Sequence, residues 1–115
     1  MAVVSSHTLN GTDGTHAGGI AVCLTRMGDS DPLFVTEMDA GGRLSEQVDL
    51  SGADPEDMYQ LTFQTGAYWA ARGLPKGGER IIGEIVLRFS MPDPDGKYHM
   101  PIILNPNSYS TWASG

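Results

Sequence analysis

The groups from which polar catalysis could be built in this chain of 115 residues are few: three histidines, seven lysines and arginines, and one cysteine. His99 lies in Tyr98-His99-Met100-Pro101-Ile102-Ile103-Leu104, where strand alternation puts Tyr98, Met100, Ile102 and Leu104 on one face and His99, Pro101 and Ile103 on the other. A partly buried imidazole, with an ordinary pKa of about 6.5, can accept or donate a proton at neutral pH. His7, flanked by Ser5, Ser6 and Thr8, is a second imidazole in a polar setting that could orient its ring or simply solvate it. Arg43 follows two glycines and offers a permanent cation with a planar donor fork, matched to carbonyl oxygens or to a developing oxyanion. Taken singly, each has a plainer reading: a structural histidine, a solvated one, a surface ion pair.

The remaining candidates carry less chemistry. Cys23 sits between Val22 and Leu24 with no adjacent base to lower its pKa, so it reads as packing. His16 falls in a glycine-flanked turn and is expected to face solvent. No His, Cys or Asp grouping has metal-ligand spacing, and no glycine-rich phosphate loop is present, so no metal or cofactor is expected. The methionines and the Tyr68/Trp69 pair are assigned to the core.

Short apolar stretches separated by Gly, Pro, Asn and Asp clusters predict the elements that must position these groups: an all-β sandwich or barrel. Strands are expected at Ala2–Leu9 and Ile20–Arg26, separated by the reversal Asn10–Gly14, with Ile20, Val22 and Leu24 on the apolar face. Leu33–Met38 and Arg43–Val48 follow, joined by a tight turn at Asp39–Gly42, and Asp54–Asp57 reads as one helical turn. In Tyr59–Phe63 the alternation is strict and sends Tyr59, Leu61 and Phe63 inward. Ala67–Arg72 is the one stretch of good helix formers, stopped by Gly73 and Pro75. Ile81–Met91 and Lys97–Leu104 complete the strands, with Ser108–Trp112 as an edge. Ile103 beside His99 leaves the outer face partly apolar, which predicts that another subunit covers it.

Composition bounds the rest. The length suits one domain, residues 1–115, with no repeat or linker to carry a second module. The net charge of −7 excludes a phosphate-tracking nucleic-acid surface. A lone cysteine forms no internal disulfide, and no apolar run approaches a membrane span; the chain reads as soluble and cytoplasmic.

Several segments together resemble the transthyretin and 5-hydroxyisourate hydrolase family. They are Ser6-His-Thr-Leu-Asn, Asp39-Ala-Gly-Gly-Arg43, the stretch from Tyr59 through the Ala67-Tyr-Trp-Ala-Ala-Arg-Gly helix, Tyr98-His-Met-Pro-Ile-Ile-Leu-Asn-Pro, and Ser108-Tyr-Ser-Thr. The resemblance implies two four-stranded sheets with about eight strands, one short helix, and a homotetramer whose channel holds the active sites. It maps the family's two histidines and arginine onto His7, His99 and Arg43 as catalytic residues, acting on a heterocyclic small molecule. Asn105, Ser110 and Trp112 occupy pocket-lining positions and are the expected substrate-binding residues. The family's closing Tyr-Arg-Gly-Ser is replaced here by Trp112-Ala113-Ser114-Gly115, its Leu-Ser-Pro by Leu104-Asn105-Pro106, and an aromatic-Pro-Glu element by Ile81-Ile82-Gly83-Glu84. The implied activity is ring-opening hydrolysis of 5-hydroxyisourate or a related cyclic acylureide. The alternatives are a repurposed biosynthetic enzyme acting on another heterocycle by hydrolysis, cyclisation or proton transfer, and a ligand-binding tetramer without catalysis.

Overall fold

A computed structural model describes residues 1–115. Nine strands and one helix follow in the order β1 (Ala2–Asn10), β2 (Ala21–Arg26), β3 (Phe34–Glu37), β4 (Arg43–Val48), β5 (Met58–Phe63), α1 (Thr65–Ala71), β6 (Ile85–Ser90), β7 (Lys97–His99), β8 (Ile102–Asn105) and β9 (Ser108–Thr111). They form two sheets. One has the order β4-β1-β8-β9 with β7 also on β1, and the other is β3-β2-β5-β6.

The period-2 patterns fold as their apolar faces dictate. Val22 and Leu24 from β2 and Tyr59, Leu61 and Phe63 from β5 are buried against Val4, Ile102 and Leu104 from the other sheet. Trp69 and Tyr68 of α1 close one side of this core, edge to face at 5.0 Å between ring centroids. The helix stops where Gly73 takes a φ of 64°.

Three expectations change. The expected strand Lys97–Leu104 is two pieces, so nine strands replace about eight. Pro101 has no N–H to place in the ladder, and pairing breaks there. The register nevertheless runs through the break unchanged, with Val3 opposite Lys97 and Thr8 opposite Ile102. Asp54–Asp57 is a turn and not a helical one, because β5 begins at Met58 and leaves no room for a second hydrogen bond of helical type. The last long strand before it narrows to Ile85–Ser90 because Asn107 holds the preceding segment: its Oδ1 accepts from the N–H groups of Ile81 (2.7 Å) and Ile82 (3.3 Å).

The inward face of β1 turns polar exactly where the loops approach it. Ser6 Oγ donates to the Met100 carbonyl (2.7 Å), Thr8 Oγ1 to the Ala17 carbonyl (2.7 Å) and Asn10 Nδ2 to Tyr68 Oη (3.1 Å), all buried. Buried polar groups are tolerated when paired in this way. Here the pairings fix three neighbouring segments to β1, and with them whatever β1 presents outward.

Candidate active site

The outward face of β1 carries Val3, Ser5, His7 and Leu9, since Ala2, Val4, Ser6, Thr8 and Asn10 point into the core. On β4 the same alternation turns Arg43, Ser45 and Gln47 outward. Register decides which of these meet. His7 stands opposite Arg43 and Ser5 opposite Ser45 on one side, while on the other Ser5 stands opposite His99 of β7. Residues 7, 43 and 99, far apart in the chain, are therefore neighbours across three adjacent strands.

Arg43 is aimed by the segment before it. Asp39 Oδ1 accepts from the N–H groups of Gly41 and Arg43, both at 2.9 Å, and Gly42 completes the reversal with a φ of 71°. The turn was expected to join two neighbouring strands; it instead carries the chain from one sheet to the other, because β3 pairs with β2 and β4 with β1. A Cβ on Gly42 would lie 2.5 Å from the Thr8 carbonyl oxygen. Gly42→Ala combines that clash with a left-handed backbone, and it is expected to lower stability by at least about 2 kcal/mol, read from the urea midpoint.

A cleft of about 320 Å³ is lined by Ser5, Ser6, Asp39, Arg43, Leu44, Ser45 and His99. Within it Ser5 Oγ and His99 Nδ1 are 2.8 Å apart, which leaves Nε2 as the ring nitrogen without a protein partner. The strand bearing His99 is held on its far side by the chain terminus, through reciprocal backbone bonds of 2.9 Å with Ser114. The Arg43 guanidinium makes no ion pair within the chain.

His7 is differently placed. Its Nε2 is 2.8 Å from Nδ1 of His16, with the rings nearly parallel at 20° and 5.0 Å between centroids. Burial, then the cations of Arg43, His16 and His99, hold its pKa below the ordinary 6.5, opposed by a hydrogen bond to the Gly41 backbone. His7 is thus neutral at neutral pH. The folded value is depressed, so the associated stability is present above 6.5 and is lost as pH falls through the folded value. The urea midpoint is expected to drop between pH 7 and 5, and less so in His7→Asn.

His16 is the partner that composition and spacing left unassigned. It is exposed, as expected of a turn residue, yet it pairs with His7. The signal was the Asn10–Gly14 reversal itself, which brings the chain back along β1 and sets residue 16 opposite Leu9.

The expected substrate-binding residues are dispersed. Asn105 and Ser110 lie on the same outer face, beyond Leu9, with Asn105 Oδ1 accepting from Thr12 Oγ1 at 3.2 Å. Neither lines the His99 cleft. Trp112 faces a separate, largely apolar groove of about 260 Å³ beside Val86, Phe89 and Met100. No set of three or more His, Cys, Asp or Glu side chains is placed to hold a metal ion, and no helix is long and apolar enough to cross a membrane.

Comparison with known proteins agrees with this architecture. Residues 4–114 match the model of the HIUase/Transthyretin family. A 5-hydroxyisourate hydrolase of Pseudomonas aeruginosa is 32% identical over 114 residues, covering 97% of this chain and 90% of that protein. One of Halalkalibacterium halodurans is 30% identical over 112 residues, covering 95% and 94%. The solved structure of Klebsiella pneumoniae 5-hydroxyisourate hydrolase superposes over the whole of both chains with a TM-score of 0.76 at 29% identity. With the family model spanning nearly every residue and both sheets reproduced in a solved relative, this chain belongs to the HIUase/Transthyretin family.

Proposed function

We propose that the protein is a hydrolase that opens the ring of 5-hydroxyisourate or a closely related cyclic acylureide. The observation that carries this reading is the meeting of His7, Arg43 and His99 on one sheet face, in a chain whose relatives are named 5-hydroxyisourate hydrolase. Ring opening adds water across a carbonyl–nitrogen bond. It needs a base for the water, a stabiliser for the tetrahedral oxyanion, and a proton for the departing nitrogen.

His99 suits the base. With Nδ1–H donated to Ser5 Oγ, its Nε2 carries the bare lone pair and faces no protein partner. Arg43 suits the oxyanion, being unpaired and fixed through its own backbone by Asp39. His7, kept neutral, suits the proton donor, since a neutral imidazole can give up its N–H to a leaving nitrogen without a charged ground state beside Arg43. The water proton passes to His99, the hydroxide oxygen bonds the carbonyl carbon, and the carbon–nitrogen bond breaks as His7 protonates the nitrogen.

The outer face that holds the site is uncovered in one chain and includes Leu9 and Ile103. A homotetramer would cover it and close the cleft, with Asn105 and Ser110 forming the outer wall. Sedimentation velocity checks the assembly. The reaction is tested by following the ultraviolet decay of freshly generated 5-hydroxyisourate: decay no faster than in buffer rejects the hydrolase reading.

A further inference from the structure

The His7–His16 contact is built by the fold. Asn10 Oδ1 accepts from the N–H groups of Thr12 (2.8 Å) and Asp13 (3.2 Å), and Gly14 N donates to the Asn10 carbonyl (2.8 Å). Asp13 Oδ1 then takes both the N–H (2.9 Å) and the hydroxyl (2.6 Å) of Thr15. Backbone bonds from Asn10 N to the Thr15 carbonyl and from Ala17 N to the Thr8 carbonyl lock the returning segment along β1. His16, between Thr15 and Ala17, is thereby set opposite Leu9, and its ring reaches diagonally to His7 on the same face. One of its sides touches His7; the rest is open to solvent.

Two imidazoles joined nitrogen to nitrogen share one bridging proton and carry one more at an outer nitrogen. We propose that His16 is the proton-relay partner of His7, so that the pair conducts a proton from solvent to the departing nitrogen of the substrate. The inference rests on the hydrolase reading above. In the resting pair Nδ1–H of His7 points outward from the contact and His16 Nδ1–H donates to His7 Nε2. When His7 gives its Nδ1 proton to the leaving nitrogen, the bridging proton moves from His16 Nδ1 to His7 Nε2, and His16 Nε2 takes one from water. Both rings end neutral and one proton has been delivered. The proton collected by His99 returns to solvent, so water is consumed with no net change in the protein's charge. The titratable and charged groups that face His7 are Arg43 from β4, His99 from β7 and His16 from the returning loop, with Asp39 at the end of the adjoining turn.

The relay separates from simple support by its chemistry. His16→Ala removes both; His16→Gln keeps a side chain able to hydrogen-bond His7 but cannot shuttle a proton between two nitrogens. In steady-state turnover of 5-hydroxyisourate both variants are expected to lose about tenfold in kcat with KM nearly unchanged, in keeping with a general acid deprived of its resupply. Added imidazole is expected to restore kcat in His16→Ala in a concentration-dependent way. Full activity in His16→Gln, or no rescue of His16→Ala, would overturn the relay. A second measurement needs no turnover: nitrogen-15 NMR of the His7 ring should show its titration midpoint rising toward the ordinary value in His16→Ala. An unchanged midpoint and unchanged ring shifts defeat the pairing itself, whereas wild-type protein with no hydrolysis but an intact NMR coupling defeats only the hydrolase reading.

Discussion

His99→Ala is expected to lower kcat for 5-hydroxyisourate by about 10²- to 10⁴-fold, the usual contribution of a positioned general base. The substitution should leave the fold in place, because His99 is half-buried on the outer face and the core beneath is formed by Met100, Ile102 and Leu104. Its strand is held by backbone bonds that no side chain supplies, from Met100 N to the Ser5 carbonyl and between His99 and Ser114. Ser5→Ala provides the internal control. It frees Nδ1, lets the imidazole sample both tautomers, and should cost about tenfold in kcat, much less than loss of the ring. Stopped-flow absorbance on both variants measures this directly. Equal activity of His99→Ala and wild type would remove His99 from the reaction.

Arg43→Ala is the second large effect, with an expected loss of about 10²- to 10³-fold in kcat/KM, the range seen when one oxyanion donor is removed. Most of that loss should fall on kcat, since the charge to be stabilised develops only in the transition state. Arg43→Lys should recover little. A lysine keeps the charge but replaces a rigid fork by a mobile point donor, and the Asp39–Gly42 turn aims a backbone, not an ammonium group at a flexible stem's end. Because Arg43 is exposed and free of ion pairs, its removal should leave the urea midpoint within about 0.5 kcal/mol of wild type, as expected of a surface substitution. A matching fall in stability and activity would point to a structural role instead.

These two residues and His7 were legible from residue types and from the family resemblance, and the strands that carry them were legible from alternation. Tyr59, Leu61 and Phe63 sit in the core as their spacing predicts, and β4 runs from Arg43 to Val48 as read. Alternation is a local property of an extended chain, so it survives without knowledge of partners. The one helix was legible too, from its helix formers and its glycine stop, though it begins at Thr65 and not Ala67. The breaks were less so. Pro101 interrupts a strand without shifting its register, and Asn107 pins a segment that composition alone would make a strand.

What residue types and spacing by themselves determined is the class of fold, the inward and outward faces of each strand, and the three polar groups able to do chemistry. Pairing belonged to the tertiary structure. Only the register of β1 against β4 and β7 brings His7 to Arg43 and Ser5 to His99, and only the return of the chain along β1 sets His16 against His7. The same geometry gives the two catalytic histidines different surroundings, one with a free nitrogen and one joined to another imidazole. The physical reason is that a strand's side-chain direction follows from its own backbone, whereas its neighbours depend on hydrogen bonds between segments distant in the chain, which no local pattern encodes.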